Sequence, residues 1–162
     1  MKEFVSGEKF HTEINNVYSG ALDWAVNKEH SKMAKVLYIA PHENKDFNDI
    51  RRGKGKDFAT WVFSEEKGIK ENIFSTGFEL MIDAKLEPDA CIGLHFHNET
   101  EEIYYILEGS IKMTTVSPEN KESTKELFAG DAHAVKLGQG HYGIAGKEGV
   151  RFIAVAMRKS KI

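Results

Sequence analysis

His95 and His97 stand two residues apart in the run Ile92-Gly93-Leu94-His95-Phe96-His97, and in an extended strand that spacing turns both imidazoles to one face. Each neutral ring offers a lone pair to a metal or a proton, so a converging pair is the start of a metal or acid–base site. Such pairs also occur on plain exposed strand faces. The next residues, Asn98 to Glu101, are polar and turn-like, and Glu102-Ile103-Tyr104-Tyr105-Ile106-Leu107 is a second β-prone run closed by Glu108-Gly109. If the chain reverses there, a carboxylate at the head of the second run returns beside the histidines. Periodicity does not choose between Glu101 and Glu102, because both faces of that run are apolar beyond its start. Far downstream, Gly130 to His141 reads as a turn, a strand, a glycine-rich turn and a third histidine. An antiparallel barrel can make neighbours of strands distant in sequence, so His141 can join the earlier pair.

Short strands must position these groups. β-prone runs recur at Lys35 to Ala40, Phe58 to Phe63, Ile73 to Leu86, Ala90 to His97, Glu102 to Leu107, Ser110 to Val116, Lys125 to Phe128, Ala132 to Leu137 and Val150 to Met157. Many short strands separated by turn residues predict an all-β sandwich or barrel. A short helix is expected around Leu22 to Val26, and the basic, glycine-punctuated stretch from Glu43 to Asp57 reads as a solvated loop whose cations could otherwise grip an anion.

The chain has 162 residues with 41% hydrophobic content, enough for one domain and too little for two well-cored ones. A formal net charge of -3 speaks against general nucleic-acid binding. One cysteine, Cys91, permits no internal disulfide and fits a reducing, cytoplasmic setting; it reads as a structural thiol. No apolar run has the length of a signal peptide or a membrane span, so no membrane partner is expected.

The spacing His95-x-His97-x4-Glu102-x6-Gly109, followed by Gly130-x7-Gly138-x2-His141, resembles the two sequence motifs of the cupin superfamily, in particular its small bacterial single-domain members. This resemblance implies an all-β fold, a double-stranded β-helix or jelly-roll barrel over residues 73–162; residues 1–72 match neither motif and are expected as an N-terminal extension that packs on the barrel or contributes to a dimer. It also implies a homodimer and one divalent metal held by His95, His97, Glu102 and His141; it selects Glu102 over Glu101. Three imidazoles and a carboxylate suit Fe, Mn, Ni, Cu or Zn rather than an all-oxygen calcium cage.

With four protein ligands in a six-coordinate arrangement, positions stay open for water, oxygen or substrate. The expected function is a metal-dependent enzyme on a small organic molecule, with dioxygenase or isomerase/lyase chemistry; the alternative is a noncatalytic metal-containing sensor or binding module. Tyr104 shares the strand face of Glu102 and is the candidate catalytic hydrogen-bond donor, with a buried aromatic wall as the plainer reading. Tyr142 is a pocket candidate by adjacency. His133 could support His141, although a surface histidine is the simpler expectation, and His11, His30 and His42 belong to no motif. Leu94 and Phe96 are expected to face away from the ligands and pack between sheets.

Overall fold

The computed structural model describes residues 4–13, 26–40, 50–67 and 69–159. Nine strands and one short helix follow in order: β1 (Val5–Ser6), α1 (Gly7–Glu13), β2 (Ala34–Ala40), β3 (Gly55–Ser64), β4 (Phe78–Leu86), β5 (Cys91–Phe96), β6 (Thr100–Val116), β7 (Glu122–Phe128), β8 (Ala132–Val135) and β9 (Gly140–Arg158). They form one sheet in the order β1-β2-β3-β4-β9-β6-β7, with β5 on β9 and β8 on β6. Among the described residues, β1 with β2 is the only parallel pair. The expected helix near Leu22 lies outside the described residues. Among those described, no helix is long and apolar enough to cross a membrane.

Two long strands carry the architecture. Glu102 to Leu107 and Ser110 to Val116, expected as separate strands, are one strand, β6, which continues through Gly109. Its ladder with β9 shifts register between Ile106 and Glu108 and again between Gly109 and Ile111. Such bulges bend a strand and sharpen its twist. The first half of β6 therefore pairs with the C-terminal half of β9, and its second half with the stretch from Gly140 to Ala145. Gly109 sits at φ +71°, and a Cβ there would lie 2.1 Å from the Gly149 carbonyl oxygen, so this corner requires glycine. The double-stranded β-helix follows from that shared pair.

The interior obeys strand alternation. Tyr104 and Ile106 are buried while Ile103 and Tyr105 face outward, and Val150, Phe152, Ala154 and Ala156 line the inner face of β9. Tyr104, Ile106, Val150, Phe152 and Ala154 form one apolar cluster with Ile111 and Met113. A second cluster, Phe10, Val36, Ala59, Trp61 and Ile69, lies under α1. It ties the residues before β4 onto the same sheet, because β3 pairs with β4 along most of its length. A buried Lys28–Glu71 ion pair at 2.5 Å adds to this anchoring, and the Lys28 ammonium also donates to the Val62 carbonyl at 2.7 Å.

Several boundaries differ from expectation: β9 begins at Gly140 rather than Val150, β7 begins at Glu122 rather than Lys125, and β8 ends at Val135 rather than Leu137. β3 begins at Gly55, inside the stretch read as loop. β4 begins at Phe78 rather than Ile73. There the Glu65 carboxylate accepts the backbone N–H groups of Asn72, Ile73 and Phe74 at 3.2, 2.6 and 3.1 Å, which holds the chain in a loop where a ladder was expected.

Candidate metal centre

His95 on β5 and His141 on β9 are direct cross-strand partners. A register shift between Ile92 and His95 precedes them, at the glycine that lets β5 pass the chain at Arg52 and Gly53: a Cβ on Gly93 would stand 2.9 Å from the Arg52 carbonyl carbon. His97 follows one residue past the end of β5. Glu102 enters from β6 between Val135 of β8 and Ala156 of β9, its side chain on the buried face. Four donor atoms, one from each of His95, His97, Glu102 and His141, thus lie within 4.8 Å of one another.

The imidazoles are held by their outer nitrogens. His95 Nδ1 is 2.9 Å from the Gly93 carbonyl, to which it can only donate, leaving Nε2 as the acceptor nitrogen. His97 Nδ1 contacts Thr100 Oγ1 at 3.2 Å, and His141 Nδ1 contacts His133 Nε2 at 3.0 Å. All three Nε2 atoms point into the cluster. His141 Nε2 is 2.8 Å from His95 Nε2 and 3.1 Å from His97 Nε2. Glu102 Oε2 lies 3.4, 3.5 and 4.0 Å from the Nε2 atoms of His141, His97 and His95.

The carboxylate separations exceed the usual length of an N–H···O bond, and Glu102 Oε2 is a buried oxygen without a hydrogen-bond partner. Donors about 2.1 Å from a shared ion would stand about 3 Å apart at right angles and about 4 Å apart when opposed. The observed spacings match that pattern. The donor set therefore fits a divalent transition metal, and a cation would satisfy the one orphaned oxygen.

Electrostatics favour the same occupant. Burial works against the charge on Glu102, but the facing imidazoles outweigh it and hold its pKa down at about 2. Burial lowers His97 to about 4 and also lowers His141. At neutral pH the cluster therefore offers a carboxylate with two neutral imidazoles. At His95 burial again opposes the charged form, yet Glu102 and the Gly93 carbonyl prevail and its pKa lies above the ordinary value.

The site opens on one side only. The side chains of His97, Glu102 and His141 are 7%, 10% and 2% exposed, whereas that of His95 is 42% exposed. His95 also lines a cavity of about 480 Å³ bounded by β2, β3 and β5.

Tyr104 is buried, stacked on Phe152 at 4.5 Å and tilted against His141 at 5.2 Å. Burial and the Glu102 charge push its acidity far down. Tyr142 is buried as well and donates toward Glu122 at 3.3 Å. Phe96, expected between sheets, is exposed at 46%. His133, for which a surface histidine was the simpler expectation, is hydrogen-bonded to His141 instead; burial lowers its pKa to about 4 and keeps it neutral, so that it can accept from His141 Nδ1–H when His141 Nε2 turns its lone pair to the cluster. Its partner could have been found from the alternation of β8, but only with the register of β8 against β6 in hand.

A family profile described as Cupin matches residues 62–161. Nothing among curated proteins matches the sequence. Among solved structures, a predicted oxalate decarboxylase from Thermotoga maritima superposes with a TM-score of 0.60 at 23% identity, over 83% of this chain and 100% of that one. The Bacillus subtilis oxalate decarboxylase, described with Mn(II) centres, gives 0.61 at 22% identity over 90% of this chain and 32% of that one. KdgF from Halomonas sp. gives 0.50 at 14% identity over 65% and 81%. At these identities the likeness is one of fold.

Proposed function

The chain belongs to the cupin family, and on that premise we propose that His95, His97, Glu102 and His141 hold one divalent transition metal, Mn or Fe, at which a small organic molecule reacts. The observation that carries this reading is the buried, unpartnered Glu102 Oε2 facing three Nε2 atoms whose outer nitrogens are already engaged. When bound, such a metal supplies Lewis-acid polarisation of a carbonyl, or an oxygen-binding centre, in keeping with isomerase/lyase or dioxygenase chemistry.

The protein's own residues then have distinct parts. His97, His141 and Glu102 close the inner side against water, and His95 forms the boundary with the cavity through which substrate arrives. Tyr104, under the Glu102 side of the cluster, acts as a hydrogen-bond donor that keeps Glu102 ionised and oriented. Residues 1–72 serve as an extension on the barrel and supply the outer cavity wall through Tyr38 and Asp57.

The outward faces of β6 and β9 carry Ile103, Tyr105 and Met157 at 41%, 48% and 36% exposure, with Val155 opposite Ile103 and Ile153 opposite Tyr105. This apolar strip supports a homodimer formed there.

Metal content by inductively coupled plasma mass spectrometry, on wild type and His141→Ala purified alike without oxygen, tests the centre. Near-stoichiometric Mn or Fe that disappears in the variant is expected. Wild type that stays metal-free after reconstitution would sink the reading.

A further inference from the structure

The cavity beside His95 contains a carboxyl that the metal centre does not use. Asp57 lies on β3 opposite Tyr38 of β2 and Leu86 of β4, and it lines the cavity together with Lys54, Cys91 and Ile92. Its Oδ1 is closed off from solvent and has no hydrogen-bond partner. Structural carboxylates at such depth are ordinarily paired, because an unpaired buried polar atom costs stability. Among the described residues, Asp57 Oδ1 has no such partner.

The neighbouring groups leave it so. Tyr38 spends its hydroxyl on Trp61, which donates to it at 3.1 Å, and on His11 Nε2 at 2.9 Å. Lys56 is held by Glu87 at 3.6 Å, at the outer edge. Tyr104 feels the Asp57 charge from within the barrel, and its own pKa rises in consequence of burial, Glu102 and Asp57. Among the described residues, Lys54, Cys91, His11 and His95 complete the titratable groups around the cavity. The rest of the wall named here, Ala40, Leu86 and Ile92, is apolar.

We propose that Asp57 is the distal binding group of a substrate compartment entered beside His95. The compartment takes a small, largely apolar molecule with chelating oxygens at one end and a hydrogen-bond acceptor at the other. The assignment rests on the metal reading for the chelating end, while the Asp57 end stands on the cavity itself. Burial pushes the Asp57 carboxyl up to about 7, so near neutral pH it can present an O–H to an acceptor that an ionised aspartate would repel. With Tyr38 and Lys56 engaged elsewhere, that O–H is left for a ligand.

Two measurements test this. Infrared titration of the metal-free protein, wild type minus Asp57→Asn, is expected to show one carboxylic-acid band that disappears as pH rises through about 7. A band already absent at pH 5 would overturn the proposal. In the second, Mn(II)-loaded protein is titrated at pH 6 with acetohydroxamate and with the monohydroxamates of succinate and glutarate, followed by water-proton relaxation. At one of the two chain lengths the distal acceptor should tighten binding about tenfold, as expected for a hydrogen bond to a charged group. Asp57→Ala should abolish that gain and Asp57→Asn, which keeps N–H donors, should retain part of it. Equal affinity for all three probes in wild type, or a gain that survives Asp57→Ala, would overturn the assignment. If Mn(II) does not bind at all, the metal reading fails by itself and the infrared result alone decides Asp57.

Discussion

His95 and His141 face each other across the β5–β9 ladder with their Nε2 atoms 2.8 Å apart, although 46 residues separate them in sequence. Two neutral acceptor nitrogens this close repel unless a cation or a proton lies between them. Backbone pairing, not side-chain choice, enforces the approach. The centre is therefore assembled by the ladder itself and stays poised for a cation.

His141 is steadied through His133, whose Nε2 receives the His141 Nδ1–H at 3.0 Å. Replacing this partner, His133→Phe, should lower metal affinity about 10- to 100-fold while leaving the ligand set complete. His133→Gln, which restores an acceptor, should recover part of the loss. Competition against a calibrated chelator measures both; unchanged affinity in His133→Phe would show the contact to be incidental.

Asp57 should make wild type less stable as pH rises. Its folded pKa of about 7 exceeds the ordinary carboxyl value, so the folded state binds the extra proton between about pH 4 and 7. Unfolding then becomes easier across that window and stays easier above it. Asp57→Asn should exceed wild type by about 1–3 kcal/mol at pH 8, and that advantage should shrink by more than half at pH 5. Denaturant unfolding of the metal-free proteins at the two pH values reads the difference.

Much of the site is visible in the sequence before any coordinates. Alternation places His95 and His97 on one face, and motif spacing singles out Glu102 and His141 beside them. Each of those inferences uses spacing within a strand or a repeated pattern. His133 and Asp57 are different, because their roles depend on which strands lie side by side and in what register. Asp57 in particular follows the basic run Arg51-Arg52-Gly53-Lys54-Gly55-Lys56, whose polarity masks the start of a strand. Arg51 indeed reaches outward, to Glu122 at 2.6 Å. Likewise Glu108-Gly109 reads as a strand end, yet a bulge and a positive φ carry β6 through it.

The glycines at turns should separate into two classes. Gly109 combines φ +71° with backbone 2.1 Å from a would-be Cβ, whereas Gly130, at φ +93°, has nothing within 4 Å. Gly130→Ala should cost about 1–2 kcal/mol from backbone strain alone. Gly109→Ala should cost about 3 kcal/mol or more, because the β6–β9 ladder must also part to admit the methyl group. Thermal unfolding of the two variants in parallel distinguishes them.

If the chain forms the proposed homodimer, the outward apolar strip is where the copies meet. Tyr105→Glu and Ile103→Lys, each alone, should shift sedimentation from dimer toward monomer at micromolar protein while leaving metal content unchanged. Dimers of unaltered stability in both variants would place the contact elsewhere or remove it.

β9 contributes His141 near its start and pairs along its length with β4, β5 and β6. A chain leaving the ribosome exposes His95, His97 and Glu102 well before this strand can add to the sheet. Until then the three early donors have no scaffold that brings them together, and the fourth is missing. If the four residues hold a metal as proposed, tight binding waits on closure of the barrel, because only then do all four donors converge.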